Sequence, residues 1–257
     1  VLGVSISTNL SKFLGLVILL VLFFRYLKIE LSWRYLKPFP WDSAKKILSI
    51  AVPSGAETLS YQLSQTFIMK IVNVFGLIVI NTKIYVYIMA MFCYSYALAI
   101  SAAMQIVMGY LIGEKNFGQV STTVWKAVGI ATLITGLITT TLYFNSDIVF
   151  RIFTDNEEIL KLGQQIFFIE IFLEIGRAVN IVMVRALQAA GDIKTPVTVG
   201  IGGMWFIAVF GAYILGIVLN FGLVGVWIAM ALDEIIRALI FIYRWQSGRW
   251  QQKILIN

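Results

Sequence analysis

Apolar stretches long enough to cross a lipid bilayer recur about seven times in this sequence, and they restrict the fold more than any other feature. A transmembrane helix needs ~20 mostly apolar residues to span a hydrocarbon core of ~30 Å. The chain is 60% hydrophobic and 13% charged, whereas a soluble domain is about 25% charged. Because a segment in lipid must satisfy its own backbone polar groups, runs of this length form helices rather than barrel strands. We therefore predict an all-α integral membrane protein with about seven transmembrane helices, at residues 1–24, 47–75, 84–112, 122–144, 159–189, 197–219 and 223–245.

The charges in the loops alternate in sign, which indicates how the spans cross the membrane. Residues 25–46 contain six Lys or Arg residues against two acidic residues, and residues 246–257 are also basic. The loop at 145–161 carries four acidic residues against two basic ones. Since cytoplasmic loops are enriched in Lys and Arg, we predict that 25–46 and the C-terminal tail are cytoplasmic and that 145–161 lies outside. The same pattern accounts for the net charge of +7 without a nucleic-acid partner.

The chain opens on the apolar letters VLGVSIS, with no charged segment before them. A secretory signal peptide has a positively charged start and a cleavage site of small residues. We therefore expect the chain to be a fragment of a longer protein rather than one that starts with a signal peptide.

An acidic residue, Glu57, is expected near the middle of the membrane. It lies about eleven residues into the span at 47–75, which is roughly 16 Å along a helix. A carboxylate at that depth costs on the order of 3 kcal/mol on insertion scales and usually marks an ion or proton path. Pro53, one turn earlier, removes a backbone donor and predicts a helix kink. We interpret Glu57 as an ion- or proton-coupling residue; the alternative is a kinked packing helix in which Glu57 has a fixed partner.

Further ionisable residues occur in two later spans. Glu170, Glu174 and Arg177 share one helix face at i, i+4 and i+7. They form either a charged cavity wall, in which Glu174 and Arg177 take part in ion or proton coupling, or a self-neutralised pair that only fixes helix packing. In the last span, Asp233 and Arg237 are spaced i, i+4, and the interpretation as a structural ion pair is favoured. This pairing would leave Glu234 without a partner.

Polar and aromatic side chains near these acids are the candidates for a substrate cavity. They are Tyr61, Gln62, Gln65, Glu170 and Asn180. A tyrosine ring face can hold an organic cation, although aromatic residues in transmembrane helices also serve in packing.

The residues that enzymes and metal sites use are scarce. The sequence has no histidine and one cysteine, Cys93, within an apolar run. No nucleophile–base–acid set, phosphate-binding loop or metal-ligand spacing is present in the sequence. We therefore expect no enzymatic activity, no metal centre and no cofactor other than H⁺ or Na⁺ as a coupling ion.

Four motifs follow one another along the chain. They are PSGAE at 53–57, GYLIGEKNFGQ at 109–119, RALQAAGDIKTP at 185–196 and GLVGVWIAMALDEIIRA at 222–238. In order and spacing they resemble the C-terminal half of the MATE family of multidrug and toxin extrusion transporters. The resemblance covers nearly the whole chain.

The resemblance implies a transporter of twelve helices, in two six-helix lobes joined by a cytoplasmic linker. Residues 1–24 would be the last helix of a truncated N-terminal lobe, 25–46 the basic linker, 47–245 the six-helix C-terminal lobe and 246–257 a cytoplasmic tail. Many members have a functional glutamate in the seventh helix, where Glu57 falls. Some have a functional aspartate in the tenth helix, where this chain has Arg177, with Glu174 one turn before it.

By this resemblance, the expected function is cation-coupled antiport in the plasma membrane, with H⁺ or Na⁺ exchanged for small cationic drugs or toxins by alternating access. The expected partners are the lipid bilayer, the cationic substrates and the missing N-terminal lobe. One alternative is a lipid-linked oligosaccharide flippase of the same superfamily, which would need a basic cavity. Another is a structural membrane subunit without transport activity.

Overall fold

The computed structural model of the chain describes residues 2–26 and 39–253. The regular elements in these residues are all helical: α1 (Leu2–Tyr26), α2 (Trp41–Asn73), α3 (Leu77–Gly113), α4 (Phe117–Phe144), α5 (Ser146–Arg151), α6 (Glu157–Ala189), α7 (Lys194–Val218) and α8 (Gly222–Gln246). A short 3₁₀ turn, Arg249–Lys253, follows α8. Each predicted span coincides with one long helix, which confirms the all-α fold. The centre of the predicted linker, residues 27–38, lies outside the described residues.

Four of the described helical segments are long and apolar enough to cross a membrane on length and composition alone. They are Ser5–Tyr26, Leu77–Gly113, Phe117–Phe144 and Lys194–Val218. The three other long helices, α2, α6 and α8, carry the ionisable residues that the sequence places inside spans. The helices that are least apolar are thus those that contain the candidate functional residues.

The chain divides into two compact units, Val1–Ser49 and Ile50–Asn257. In the first unit, α1 exposes apolar side chains along its length, such as Leu16 and Leu19. A helix that is apolar all round is suited to lipid or to contact with other helices.

In the second unit, α6 packs against α3, α4 and α8. Two apolar clusters hold these helices together, and both α6 and α8 contribute to each. The first, which we call the Phe167 cluster, includes Phe150, Phe167, Leu223 and Trp227. The second, the Trp245 cluster, includes Val182, Met183, Phe241 and Trp245. Glu174 and Arg177 of α6 and Asp233, Glu234 and Arg237 of α8 lie between the two clusters, away from the ends of both helices.

Three features of the helices differ from the sequence prediction. The helix predicted to start at 84 begins at Leu77, directly after Gly76, which has a φ of 91°. The loop between α4 and α6 contains the short helix α5, whose Phe150 ring fills the space above Gly163 of α6. Helix α7 contains two π-helical segments, Gly203–Val209 and Tyr213–Val218. Such segments depend on tertiary contacts and occur often at functional sites.

Candidate functional site

The site is built on α6 and α8, which approach each other closely at a glycine. A Cβ atom on Gly176 would lie 3.1 Å from the carbonyl carbon of Glu234, so a larger residue would separate the helices. The close approach brings the charged side chains of both helices into one buried group, which we call the ionic cluster. Its members are Glu170, Glu174, Arg177, Asp233, Glu234 and Arg237.

Arg177 joins the two helices electrostatically. Its Nη1 pairs with Glu174 Oε1 on its own helix, which confirms the predicted i, i+3 contact. Its Nε lies 3.6 Å from Glu234 Oε1 on α8. The guanidinium is also 5.6 Å from the centre of the Tyr94 ring, within cation–π range.

Arg237 makes the second set of ion pairs. Its Nε and Nη2 donate to the two oxygens of Asp233 at 2.9 and 2.6 Å, so the predicted pair is present and bidentate. Nη2 also lies 3.0 Å from Glu234 Oε1.

The prediction that Glu234 is unpaired is wrong. Glu234 contacts both arginines, and its Oε2 accepts a hydrogen bond from Asn180 Nδ2 at 2.5 Å. The contacts with Asn180 and Arg177 cross from α6 to α8, so periodicity within one helix could not reveal them. A glycine directly before Arg177 was the one signal in the sequence for such a close helix contact.

The ionic cluster contains more acids than bases. Four carboxyl groups stand against two guanidinium groups, and none of the four is more than 8% exposed. Glu170 has no ion pair among the described residues; instead its Oε2 accepts a hydrogen bond of 2.6 Å from Trp227 Nε1. Glu174 Oε2 and Asn180 Oδ1 are buried and have no hydrogen-bond partner in the described part of the chain. The cluster is therefore not neutralised by the side chains that form it.

A cavity of about 400 Å³ lies beside the cluster. Its wall includes Glu57, Tyr61, Gln62, Tyr87, Tyr94, Arg177, Asn180, Arg185, Glu234 and Arg237. Five of the sequence-predicted site residues therefore meet at one cavity: Glu57, Tyr61, Gln62, Arg177 and Asn180.

Three other predicted residues lie beside or behind this cavity. Gln65 lines adjoining spaces that share Tyr61 with it. Glu170, expected on the cavity wall, lies instead behind it, because its position on α6 directs it into the Phe167 cluster, where it contacts Trp227. Glu174 is fully buried and reaches the cavity only through Arg177.

Glu57 differs from the acids of the cluster. It is half-buried on α2, which continues through Pro53 as one helix. Its Oε1 faces Gly200 of α7, where an added Cβ would lie 3.0 Å away. Among the described residues, Glu57 has no hydrogen bond or ion pair.

Helix α7 positions α2 at the site. Trp205 Nε1 donates to Ser60 Oγ at 2.9 Å, and the Trp205 ring meets that of Phe67 edge-on. Gly203 faces α8, where a Cβ atom would collide with Asp233 and Arg237. The first π-helical segment of α7 thus supports the Asp233–Arg237 pair from the other side.

A bundle of apolar helices with a charged cluster away from the helix ends, and with a cavity in which Glu57 has no partner among the described residues, has the features of a membrane transporter of small solutes. A family model described as MatE matches residues 53–214. The match extends over more than half of the chain, and the chain belongs to the MATE family, whose members are integral membrane transporters and not enzymes.

Relatives and solved structures agree with this assignment. The uncharacterized transporter YisQ of Bacillus subtilis is 33% identical over 98% of this chain and 55% of its own length. A probable multidrug resistance protein, NorM, of Thermotoga maritima is 23% identical over 99% of this chain and 55% of its own. The chain spans about half the length of these relatives.

Two solved structures share the fold. A MATE crystal structure in the bent conformation matches with a TM-score of 0.79 at 19% identity, over 93% of this chain and 54% of that one. A MOP superfamily transporter from Pyrococcus furiosus matches with a TM-score of 0.78 at 18% identity, over 90% of this chain and 53% of its own; its binding pocket is described as reversed in polarity.

Proposed function

We propose that the chain is one lobe of a cation-coupled antiporter that exports small cationic compounds by alternating access. The observation that carries this proposal is Glu57, the cavity carboxylate without a partner among the described residues. Such a group is available to a proton, to Na⁺ or to a substrate cation, and these exclude one another. Competition at Glu57 links the outward movement of substrate to the inward movement of the coupling ion.

The cavity also offers surfaces for the rest of a substrate. Tyr61 and Tyr87 are half-exposed on its wall, and their rings suit the apolar or charged parts of an organic cation. Gln62, beside Glu57, supplies hydrogen-bonding groups.

We infer that the coupling ion is H⁺ rather than Na⁺. Na⁺, a hard cation, needs several oxygen ligands that converge on one point. In this lobe the oxygens of Glu174 and Glu234 already face the guanidinium of Arg177, whose positive charge disfavours a metal cation beside them. The single carboxylate of Glu57 is sufficient for a proton.

Replacement of Glu57 tests the role of the carboxylate. We expect Glu57→Gln in the full-length transporter to abolish ethidium efflux from cells while the protein still reaches the membrane, since the amide can neither take up a proton nor attract a cation. Glu158→Gln, which alters an exposed acid in the first turn of α6, is the control and should transport normally. Normal efflux by Glu57→Gln would assign Glu57 a structural role.

Ion replacement tests the coupling. Efflux is measured at fixed pH, first with Na⁺ replaced by choline and then with the proton gradient collapsed by an ionophore. We expect efflux to persist in choline and to stop with the ionophore. Transport that stops without Na⁺ but continues without a proton gradient would establish Na⁺ coupling instead.

A second candidate is transport of an anionic or lipid-linked substrate, as by a flippase of the same superfamily. One observation favours it: the guanidinium groups of Arg177, Arg185 and Arg237 line the cavity. Arg177 and Arg237 are paired with carboxylates, whereas Arg185 donates a hydrogen bond to Gln105 at 3.3 Å and forms no ion pair with a described residue. If Arg185→Gln abolished binding of an anionic compound and left ethidium efflux intact, this candidate would be preferred.

We further propose that the protein resides in the plasma membrane with its C-terminus in the cytoplasm, and that a second six-helix lobe completes it. The proposal of a second lobe is supported by the length of the relatives, since this chain covers 55% of YisQ. Sequencing of the gene upstream of this segment tests it: we expect five more spans, which make six with residues 1–24, and a proline and an acid in the first of them.

A further inference from the structure

Glu170 lies in a place where an ionised carboxylate has little support. The Glu170 side chain is 2% exposed. Its Oε2 accepts a hydrogen bond from Trp227 Nε1. None of the described arginines forms an ion pair with it. A neutral indole donor stabilises a buried negative charge far less than a guanidinium does.

Glu174 lies one turn further along the same face of α6, so its carboxyl group is a neighbour of that of Glu170. Its Oε1 pairs with Arg177, but its Oε2 is fully buried and receives no hydrogen bond from any residue that the structure describes. A buried acceptor on a charged group that has no donor loses its hydration without compensation, and this is costly. The neighbouring carboxyl group is the side chain that can supply this donor, provided that it is protonated.

The charged groups around Glu170 and Glu174 also favour a proton on one of the two acids. The titratable and charged groups that face the two acids are the Cys93 thiol from α3, Glu234 from α8 and Arg177 from α6 itself. Of these only Arg177 is a cation, and it is shared with Glu234. Two adjacent ionised carboxylates at this depth would leave a negative charge uncompensated in a medium where such charges are costly.

We propose that Glu170 and Glu174 form a buried proton-binding site, separate from Glu57, in which Glu170 is a neutral acid that donates its proton from Oε1 to Glu174 Oε2. In this arrangement Glu170 Oε2 is the carbonyl oxygen that accepts from Trp227, and the donorless oxygen of Glu174 is satisfied. The presence of this proton does not depend on the proposed H⁺ antiport, but a role for the proton in transport rests on that proposed function.

The proton site is linked to the cavity through Arg177. Arg177 lies on the cavity wall and divides its contacts between Glu174 and Glu234. Loss of the shared proton would add a negative charge beside Glu174 and draw the guanidinium toward it, away from Glu234. Proton occupancy behind the wall therefore changes the charge that a substrate meets at the wall.

Infrared difference spectroscopy of the purified full-length transporter tests the site directly, since a protonated carboxylic acid has a carbonyl stretching band of its own. We expect one such band at neutral pH that shifts on transfer to D₂O. Glu170→Gln should abolish this band, whereas Glu57→Gln and Glu158→Gln, the control at an exposed position, should retain it. A band that persists in Glu170→Gln, or one that is lost only in Glu57→Gln, would overturn the proposal.

A second variant keeps the test decisive if Glu170→Gln does not fold. Trp227→Phe removes the donor to Glu170 Oε2, so the band should remain but move to higher frequency. An unmoved band would contradict the assignment to Glu170. The infrared spectrum does not depend on transport. Na⁺-dependent efflux would therefore overturn the proposed H⁺ coupling without affecting the assignment of the band to Glu170.

Discussion

Arg177 lies on the cavity wall beside two carboxylates, and its side chain supplies the positive charge that a bound cation would otherwise supply there. Its guanidinium faces Glu174 and Glu234, and Tyr94 covers one side of it. Arg177 therefore separates Glu174 from the cavity, whereas Glu234 lines the cavity wall itself. At this position the chain thus holds a positive charge inside a cluster that is otherwise rich in acids.

Glu174 and Arg177 should behave as a pair in mutational tests. Removal of one member of a buried pair leaves an uncompensated charge and costs about 3–5 kcal/mol, whereas removal of both costs less. We expect Glu174→Gln and Arg177→Gln each to lower the amount of folded protein in the membrane more than the double substitution does, as measured by fluorescence-detected size exclusion of a tagged protein.

The control for this cycle is the exposed pair Asp147–Arg151 of α5, which has the same kind of contact at 3.0 Å outside the core. Substitutions there should change the yield little, because water screens exposed pairs. Additive losses at Glu174 and Arg177 would mean that their contact contributes nothing to folding.

At the scale of single helices, α7 shows how a segment without charged side chains after Lys194 can support a charged site. Its glycines allow Glu57 to approach at Gly200 and the Asp233–Arg237 pair to approach at Gly203. Its Trp205 holds α2 through Ser60. The change from α- to π-helical geometry at Gly203 coincides with the contact to the ion pair.

Adding a methyl group to α7 should be harmful at one glycine and harmless at its neighbour. Gly203→Ala places a Cβ against Asp233 and Arg237, so we expect a loss of stability of about 1–3 kcal/mol from overpacking. Gly202→Ala is the matched control, since no atom lies within 4 Å of its added Cβ. The midpoint of thermal unfolding of the purified protein in detergent measures both, and equal midpoints would contradict the proposed contact.

At the scale of the whole molecule, one contact relates the ends of distant helices. Arg244, in the last turn of α8, donates to Asp192 Oδ2 at 2.7 Å, and Asp192 also accepts from Thr195 at 2.9 Å. The turn after α6 and the end of α8 therefore lie at the same face of the bundle. The loop charges predict that this face is cytoplasmic.

Cysteine labelling in intact cells tests that orientation. In a protein with the buried Cys93 replaced by Ala, Asp155→Cys should react with an impermeant maleimide added outside, because it lies in the acidic loop. Lys194→Cys should react only after the cells are opened. The reverse pattern would mean that the predicted topology is inverted. Lys37, predicted on the same side as Lys194, lies outside the described residues and offers a third position.

The sequence by itself determined the helices and the contacts within each helix. An apolar run long enough to span lipid must form a helix, because its backbone groups have no other partners there. The pairs Glu174–Arg177 and Asp233–Arg237 were predictable for a similar reason, since residues three or four apart on a helix are neighbours whatever surrounds it.

Only the tertiary structure decided which groups remain without partners. The pairing of Glu234 with Asn180 requires α6 and α8 to approach at Gly176, and the contact of Glu170 with Trp227 depends on the rotation of α6 against α8. Glu57 is left unpaired for the same reason, because α2 faces it toward Gly200 and the cavity rather than toward an arginine. Contacts between helices depend on the distance and rotation of two axes, and the spacing of residues along one chain segment does not specify either.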